Sequence, residues 1–148
     1  MRVLLAVDAS PCSDFAVEDV CHHAWPPETE IEIVSVAHTR VPRILEPTWF
    51  LMAVHEEALE QARHEAAACL EHARARLAAT VPEAHLTATL LEGTPSREIV
   101  GEARRWHADL VVVGSHGRSL PGRLIHGSVS TAVARRAPCQ VDVVFAAH

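Results

Sequence analysis

Short aliphatic runs alternate with amphipathic segments from one end of this chain to the other. Five runs stand out: Val3 to Val7, Ile31 to Val36, His85 to Leu91, Leu110 to Val113 and Val141 to Phe145. The first and fourth are almost continuous Val and Leu, the pattern of strands covered on both faces in a parallel sheet. The third alternates, with Leu86, Ala88 and Leu90 on one side, which predicts a strand nearer an edge.

The intervening segments carry helical spacing and helix punctuation. Ser10 ahead of Pro11 predicts a capped start, Val17, Val20, Cys21 and Ala24 share an inner face, and Pro26-Pro27 closes that helix. From about Leu51 to Ala79, the residues Leu59, Ala62, Ala66, Leu70, Ala73 and Leu77 recur every three or four positions, with Glu, Arg and His elsewhere: a long amphipathic surface helix. Thr94-Pro95 opens a third helix running to about Trp106. A fourth starts at Gly127-Ser128 and ends at Arg135-Arg136, whose cations suit the negative end of the helix dipole. Val36 to Phe50, with Pro42, Pro47 and Trp49, reads as a longer loop, in which Trp49, Phe50 and Met52 pack from loop to core or cover a ligand. Strand and helix in strict alternation predict an α/β fold: an open, doubly wound, five-stranded parallel sheet with helices on both faces.

Composition narrows the function. At 148 residues, 49% hydrophobic and 22% charged, the chain suits one folded domain spanning 1–148, with a core that needs neither disulfide nor metal. It holds no apolar run long enough to span a bilayer. Its first apolar stretch, Val3 to Val7, stops at Asp8, too short for a signal-peptide core, so a cytoplasmic location is expected. Cys12, Cys21, Cys69 and Cys139 form no Cys-x-x-Cys pair and read as reduced thiols. The formal net charge of −6 and the scarcity of aromatics for stacking argue against nucleic acid and anionic membrane as partners. All 13 basic residues are arginine, so a Walker A loop and lysine Schiff-base chemistry are both excluded. Eleven histidines repeat no metal-ligand spacing such as His-Glu-x-x-His, and no metal site is expected.

In an open parallel sheet, ligands gather beyond the C-terminal ends of the strands. Here the first strand ends in Asp8-Ala9-Ser10, and the fourth runs into Gly114-Ser115-His116-Gly117-Arg118-Ser119. Gly114 and Gly117 allow a sharp turn and close approach to an anion. Free N–H groups in such a turn make an anion-binding concavity, and Gly127-Ser128 adds the N–H groups and positive dipole end of a helix start. Ser119, Ser128 and Ser130 add hydroxyls, while Arg118 and Arg123 add charge. The simpler alternatives are turn glycines with no ligand, an Asp8 that only caps the following helix, and a His116 that faces solvent rather than phosphate.

Gly114-x2-Gly117-x9-Gly127-Ser128 resembles the Gly-x2-Gly-x9-Gly-Ser/Thr signature of ATP-binding members of the universal stress protein family. The likeness extends through Val113 to Ser119, Gly127 to Ser130, Arg136-Ala137-Pro138-Cys139 and the opening Ala6-Val7-Asp8-Ala9-Ser10, covering essentially the whole chain. The resemblance implies a bound ATP and a homodimer paired through the last strand, Val141 to Phe145; a Mg²⁺ ion bridging the phosphates is a separate expectation. It implies that Ala6 and Asp8 meet the ribose or adenine and that Val36 lines the adenine pocket through its backbone. Val113, Gly114, Ser115, His116, Gly117, Arg118, Ser119, Gly127, Ser128, Val129 and Ser130 would then surround ribose and phosphates. Two positions depart from the family pattern: Ala6-Val7 replaces a common proline or threonine, and Asp142 sits on the strand expected at the dimer seam, where it would loosen or re-register the pairing.

No general base or nucleophile accompanies the phosphate cradle, so the leading expectation is a nucleotide-dependent signalling module in a stress response. A slow ATPase or phosphotransferase is the alternative, with His116, Ser119 and Ser128 as its candidate residues. A nucleotide-free interaction protein is the third reading. Neither the stress signal nor the protein partner is legible.

Overall fold

The structure, a computed structural model, describes residues 1–39, 48–115 and 127–145. Five strands and four helices alternate: β1 (Arg2–Ala6), α1 (Pro11–His22), β2 (Glu30–Ala37), α2 (Trp49–Thr80), β3 (His85–Glu92), α3 (Pro95–Arg105), β4 (Leu110–Gly114), α4 (Ser128–Arg136) and β5 (Gln140–Val144). All pairings are parallel and the strand order is β3-β2-β1-β4-β5. The chain therefore winds outward from β1 to β3, crosses back to β4 beside β1, and winds outward the other way. The expected doubly wound sheet is what forms, with β3 and β5 at its edges.

Period-two alternation along each strand divides the core in two. Val3, Leu5, Ile31, Ile33 and Val112 meet α1 and α2 through Ala16, Val17, Val20, Leu70, Ala73 and Leu77. On the opposite face, Leu4, Val34, Val111 and Val113 meet α3 and α4 through Ile99, Val100, Ala103 and Val133. Strands β1, β2 and β4 feed both layers, so their sequences lack a polar side. Two buried polar side chains interrupt β2, Ser35 and Glu32, and Glu32 lies on the α3 face. Its Oε1 accepts a 2.7 Å hydrogen bond from the Thr89 hydroxyl, and Arg105, 4.0 Å away, is shared with the buried Glu102.

Two expected boundaries and one expected packing contact differ in the structure. Helix α1 ends at His22, and Ala24 lies outside it, exposed. His23 turns extended and sends its N–H to the Asp19 carbonyl, while the Trp25 indole N–H donates to the Val20 carbonyl at 2.8 Å. These bonds close the helix before Pro26 has to. Second, the loop read for 36–50 is shorter at both ends: Val36 and Ala37 belong to β2, and Trp49 and Phe50 open α2 behind Thr48, whose hydroxyl accepts from the Leu51 N–H. Third, Trp49, Phe50 and Met52 do not pack into the core; they are 81%, 60% and 60% exposed. Helix α2 spans 32 residues, about 48 Å at 1.5 Å per residue, far longer than the strands it covers. Its buried residues, Ala66, Leu70, Ala73 and Leu77, all fall in the C-terminal half.

Candidate functional site

Because β1 and β4 are neighbours whose connections leave in opposite directions, the sheet opens a crevice beyond their C-terminal ends. A cleft of about 500 Å³ occupies this place, within the range of small-molecule sites. Its walls come from β1 (Ala6), β2 (Val34, Val36), β4 (Val113, Gly114) and α3 (Ile99), with Asp8, Ser10, Ser13, His38, Thr94, Ser96, Ser128 and Val129 at the rim and floor. Val34, Val36 and His38 follow one another at period two, so the apolar row on β2 ends in an imidazole.

Three helices start at this cleft. The first turn of α1 contributes Ser10 and Ser13, that of α3 Thr94, Pro95 and Ser96, and that of α4 Ser128 and Val129. The leading N–H groups of a helix have no intrahelical acceptor, and the positive end of the dipole lies with them. Neither Thr94 nor Gly127 supplies a side-chain cap. The convergence of α3 and α4 on one crevice makes its floor attractive to anions.

Asp8 is held where β1 ends. Its Oδ1 accepts from the Ser10 N–H at 2.9 Å and the Ser10 hydroxyl at 2.5 Å, and its own N–H donates to the Ser13 hydroxyl at 3.0 Å. Ser10 occupies the cap position of α1 but makes no side-chain cap bond, since its hydroxyl is committed to Asp8. The expected Ser10 cap is thus replaced by a turn closed through Asp8. The carboxylate borders the large cleft on one side and a hollow of about 280 Å³ between α1 and α2 on the other. In that hollow, burial and then the nearby Asp8, Glu65 and Asp14 carboxylates push the Cys69 thiol above its ordinary value, the opposite of a reactive thiolate.

Of the residues singled out in the sequence, Ala6, Asp8, Val36, Val113, Gly114, Ser128 and Val129 line the cleft together. Gly127, Ser115 and Ser130 do not line it. Ser130 is buried with its hydroxyl donating to the Gly127 carbonyl at 3.0 Å, closing the first turn of α4. Ser115 is fully buried; its N–H donates to the Val144 carbonyl at 2.8 Å, and its Oγ has no partner among the described residues. His116, Gly117, Arg118 and Ser119 lie outside the described residues. Gly114 has a nearer reason to be glycine than an anion: a Cβ there would overlap the Cys12 carbonyl oxygen, so its bareness lets the first turn of α1 press against β4. Among the described residues, no three His, Cys, Asp or Glu side chains gather as a metal site, and no helix is long and apolar enough to cross a membrane.

Sequence reasoning missed the α3 side of the cleft, Thr94, Pro95, Ser96 and Ile99, and also His38 just beyond β2. The signal was present. Thr94-Pro95 follows a strand directly, which places a helix start at the same sheet edge as Asp8 and Gly114.

The sequence profile of the universal stress protein family matches residues 1–144. The chain is 27% identical over 146 residues to universal stress protein YxiE of Bacillus subtilis, covering 97% of each chain. It is 32% identical over 142 residues to a universal stress protein of Thermus aquaticus encoded in the QAH/OAS sulfhydrylase 3' region, covering 96% of each. Among solved structures, an Arabidopsis thaliana universal stress protein family member with AMP bound superposes with TM-score 0.69 at 18% identity, covering 99% of this chain and 92% of that one. A universal stress protein in complex with cAMP superposes with TM-score 0.61 at 24% identity, covering 98% and 96%. Profile, sequence relatives and fold agree, and the chain belongs to the universal stress protein family.

Proposed function

We propose that this chain is an adenine-nucleotide-binding module, with ATP as its leading ligand, through which a stress-response signal is read. The observation that carries the reading is the pairing, in one cleft, of apolar walls with two helix N-termini and a fixed carboxylate. Each part suits a different part of a nucleotide. Val34, Val36 and Ile99 offer a surface for a flat base, and Asp8 offers acceptors to a ribose diol. The N–H groups of α3 and α4 offer donors to phosphate. Two structurally similar proteins were crystallised with AMP and with cAMP, which supports the same ligand class here. A Mg²⁺ ion accompanying ATP would be held chiefly by the phosphates, since the described residues supply no carboxylate cluster for it.

The same reading treats 1–148 as one domain, cytoplasmic and paired with a second copy along β5, an edge strand. It assigns no turnover: of His116, Ser119 and Ser128, the residues that could place a water or accept a phosphoryl group, only Ser128 is among the described residues at the cleft.

Calorimetric titration of nucleotide-stripped protein with ATP and Mg²⁺, with GTP alongside, tests the reading. One ATP per chain is expected, with binding abolished in Gly117→Val by a side chain in the phosphate path. An affinity unchanged by that substitution would remove the glycine turn from the site, and absence of ATP binding in the parent protein would leave an interaction scaffold.

A further inference from the structure

His38 stands just beyond β2, and its Nδ1 lies 3.0 Å from the carbonyl oxygen of Gly93 at the end of β3. A carbonyl can only accept, so Nδ1 carries the proton and the neutral ring presents an unprotonated Nε2. The anchor is itself fixed. Gly93 has φ +139, a conformation open to glycine, and a Cβ there would sit 2.8 Å from Glu98 Oε1. The Gly93 N–H in turn donates to the Ala37 carbonyl at 3.1 Å. The ends of β2 and β3 are thus tied together next to the imidazole. His38 lines the cleft as the outermost member of the row Val34, Val36, His38.

We propose that His38 is the specificity-determining residue for the base: its Nε2 accepts a hydrogen bond from an exocyclic amino group, selecting 6-amino over 6-oxo purines. The inference rests on the adenine-nucleotide reading above and names the residue that would enforce it. A base lying on Val34 and Val36 brings its far edge to the end of that row. A 6-amino group meets the Nε2 lone pair as a donor; a 6-oxo group turns a second lone pair toward it. His38 is exposed in the open cleft, so water can satisfy Nε2 when no amino group does, and the discrimination expected is that of a single hydrogen bond.

The test compares ATP with ITP, which differ at this edge alone, on the wild-type protein and on His38→Ala. The wild type is expected to favour ATP about tenfold, the worth of one hydrogen bond near the upper end of its usual range. In His38→Ala the preference should fall below about twofold, with ITP affinity held. Equal losses for both nucleotides, or a preference that survives the substitution, would overturn the assignment. Wild-type binding of ATP and ITP with equal affinity would sink the role of His38 and leave the nucleotide reading standing. Binding of neither would end both. Long-range ¹H–¹⁵N correlation of the wild-type His38 ring gives an independent readout that needs no nucleotide: the Nδ1–H tautomer is expected, and the Nε2–H tautomer would refute the proposal.

Discussion

Replacing Glu32 by glutamine should stabilise this protein, because the buried carboxyl has more to lose by ionising than by being made neutral. Glu32 is 3% exposed in the middle of β2. Burial holds its carboxyl above the ordinary value near 4.5. The Thr89 hydrogen bond opposes that effect, Glu102 adds to it, and Arg105 offsets part of it. Its Oε2 has no hydrogen-bond partner among the described residues, and Arg105 is already engaged with Glu102. An unsatisfied buried polar atom costs about 1–3 kcal/mol.

Glutamine keeps an oxygen for the Thr89 hydroxyl and presents an NH₂ to the Glu102 carboxylate. A gain of about 1–2 kcal/mol follows, or roughly 3–6 °C in Tm for a chain of this size. The sign with pH is fixed by linkage. The folded state holds a proton on Glu32 at pH values where the unfolded state has released it. Stability therefore falls as pH rises from the ordinary value through the folded one, and the penalty is complete above that window. The gain should grow as pH rises above the ordinary carboxyl value and should fade below it, as both states become protonated. Thermal unfolding followed by far-UV circular dichroism, for both proteins on either side of that value, checks it. A glutamine variant less stable than the parent at high pH, or a Tm difference independent of pH, would refute the reasoning.

Three further outcomes are expected. Gly114→Ala should lower stability by about 1–3 kcal/mol, the usual cost of overpacking, as the new Cβ drives the first turn of α1 away from β4; urea unfolding measures it, and an unchanged midpoint would show that the contact relaxes freely. Ser128→Asp should leave Tm equal or higher, since an acidic residue suits a helix start, yet weaken ATP by roughly a hundredfold: a charge about 5 Å from phosphate at an effective dielectric near 20 costs about 3 kcal/mol. Calorimetry that found equal ATP affinity would take the start of α4 out of the phosphate site. Asp142→Val, on the exposed edge strand β5, should raise self-association by removing a charge that guards an open edge; sedimentation velocity over a concentration series would expose a constant distribution if that role is wrong.

Strand and helix alternation alone was enough to establish the α/β class, and the continuous apolar runs of β1 and β4 foretold strands covered on both faces. Both follow from local rules: a strand covered on two faces has no polar side to show, and a helix needs its apolar stripe. The polar ends Asp8 and Ser128 were legible for a similar reason, since they sit where a strand stops or a helix starts. What the linear chain could not show depends on neighbours distant in sequence. Glu32 sat unnoticed within an apolar run because its surroundings, Thr89, Glu102 and Arg105, arrive from β3 and α3.

Gly114 and Gly127-Ser128 were read together as one phosphate cradle; Gly114 and Ser128 do line one cleft, and tertiary packing adds a further use at this corner. Gly114 makes room for the Cys12 carbonyl, and Ser130 turns inward to the Gly127 carbonyl. Trp49, Phe50 and Met52 were read as packing from loop to core or covering a ligand; the core packing does not form, because the sheet ends before α2 does and they stay exposed. His38 gains a defined tautomer only because β2 and β3 are hydrogen-bonded side by side, bringing the Gly93 carbonyl to its ring. Periodicity determined which face of each element is buried; the crossing from β3 back to β4 decided which residues face one another across the cleft.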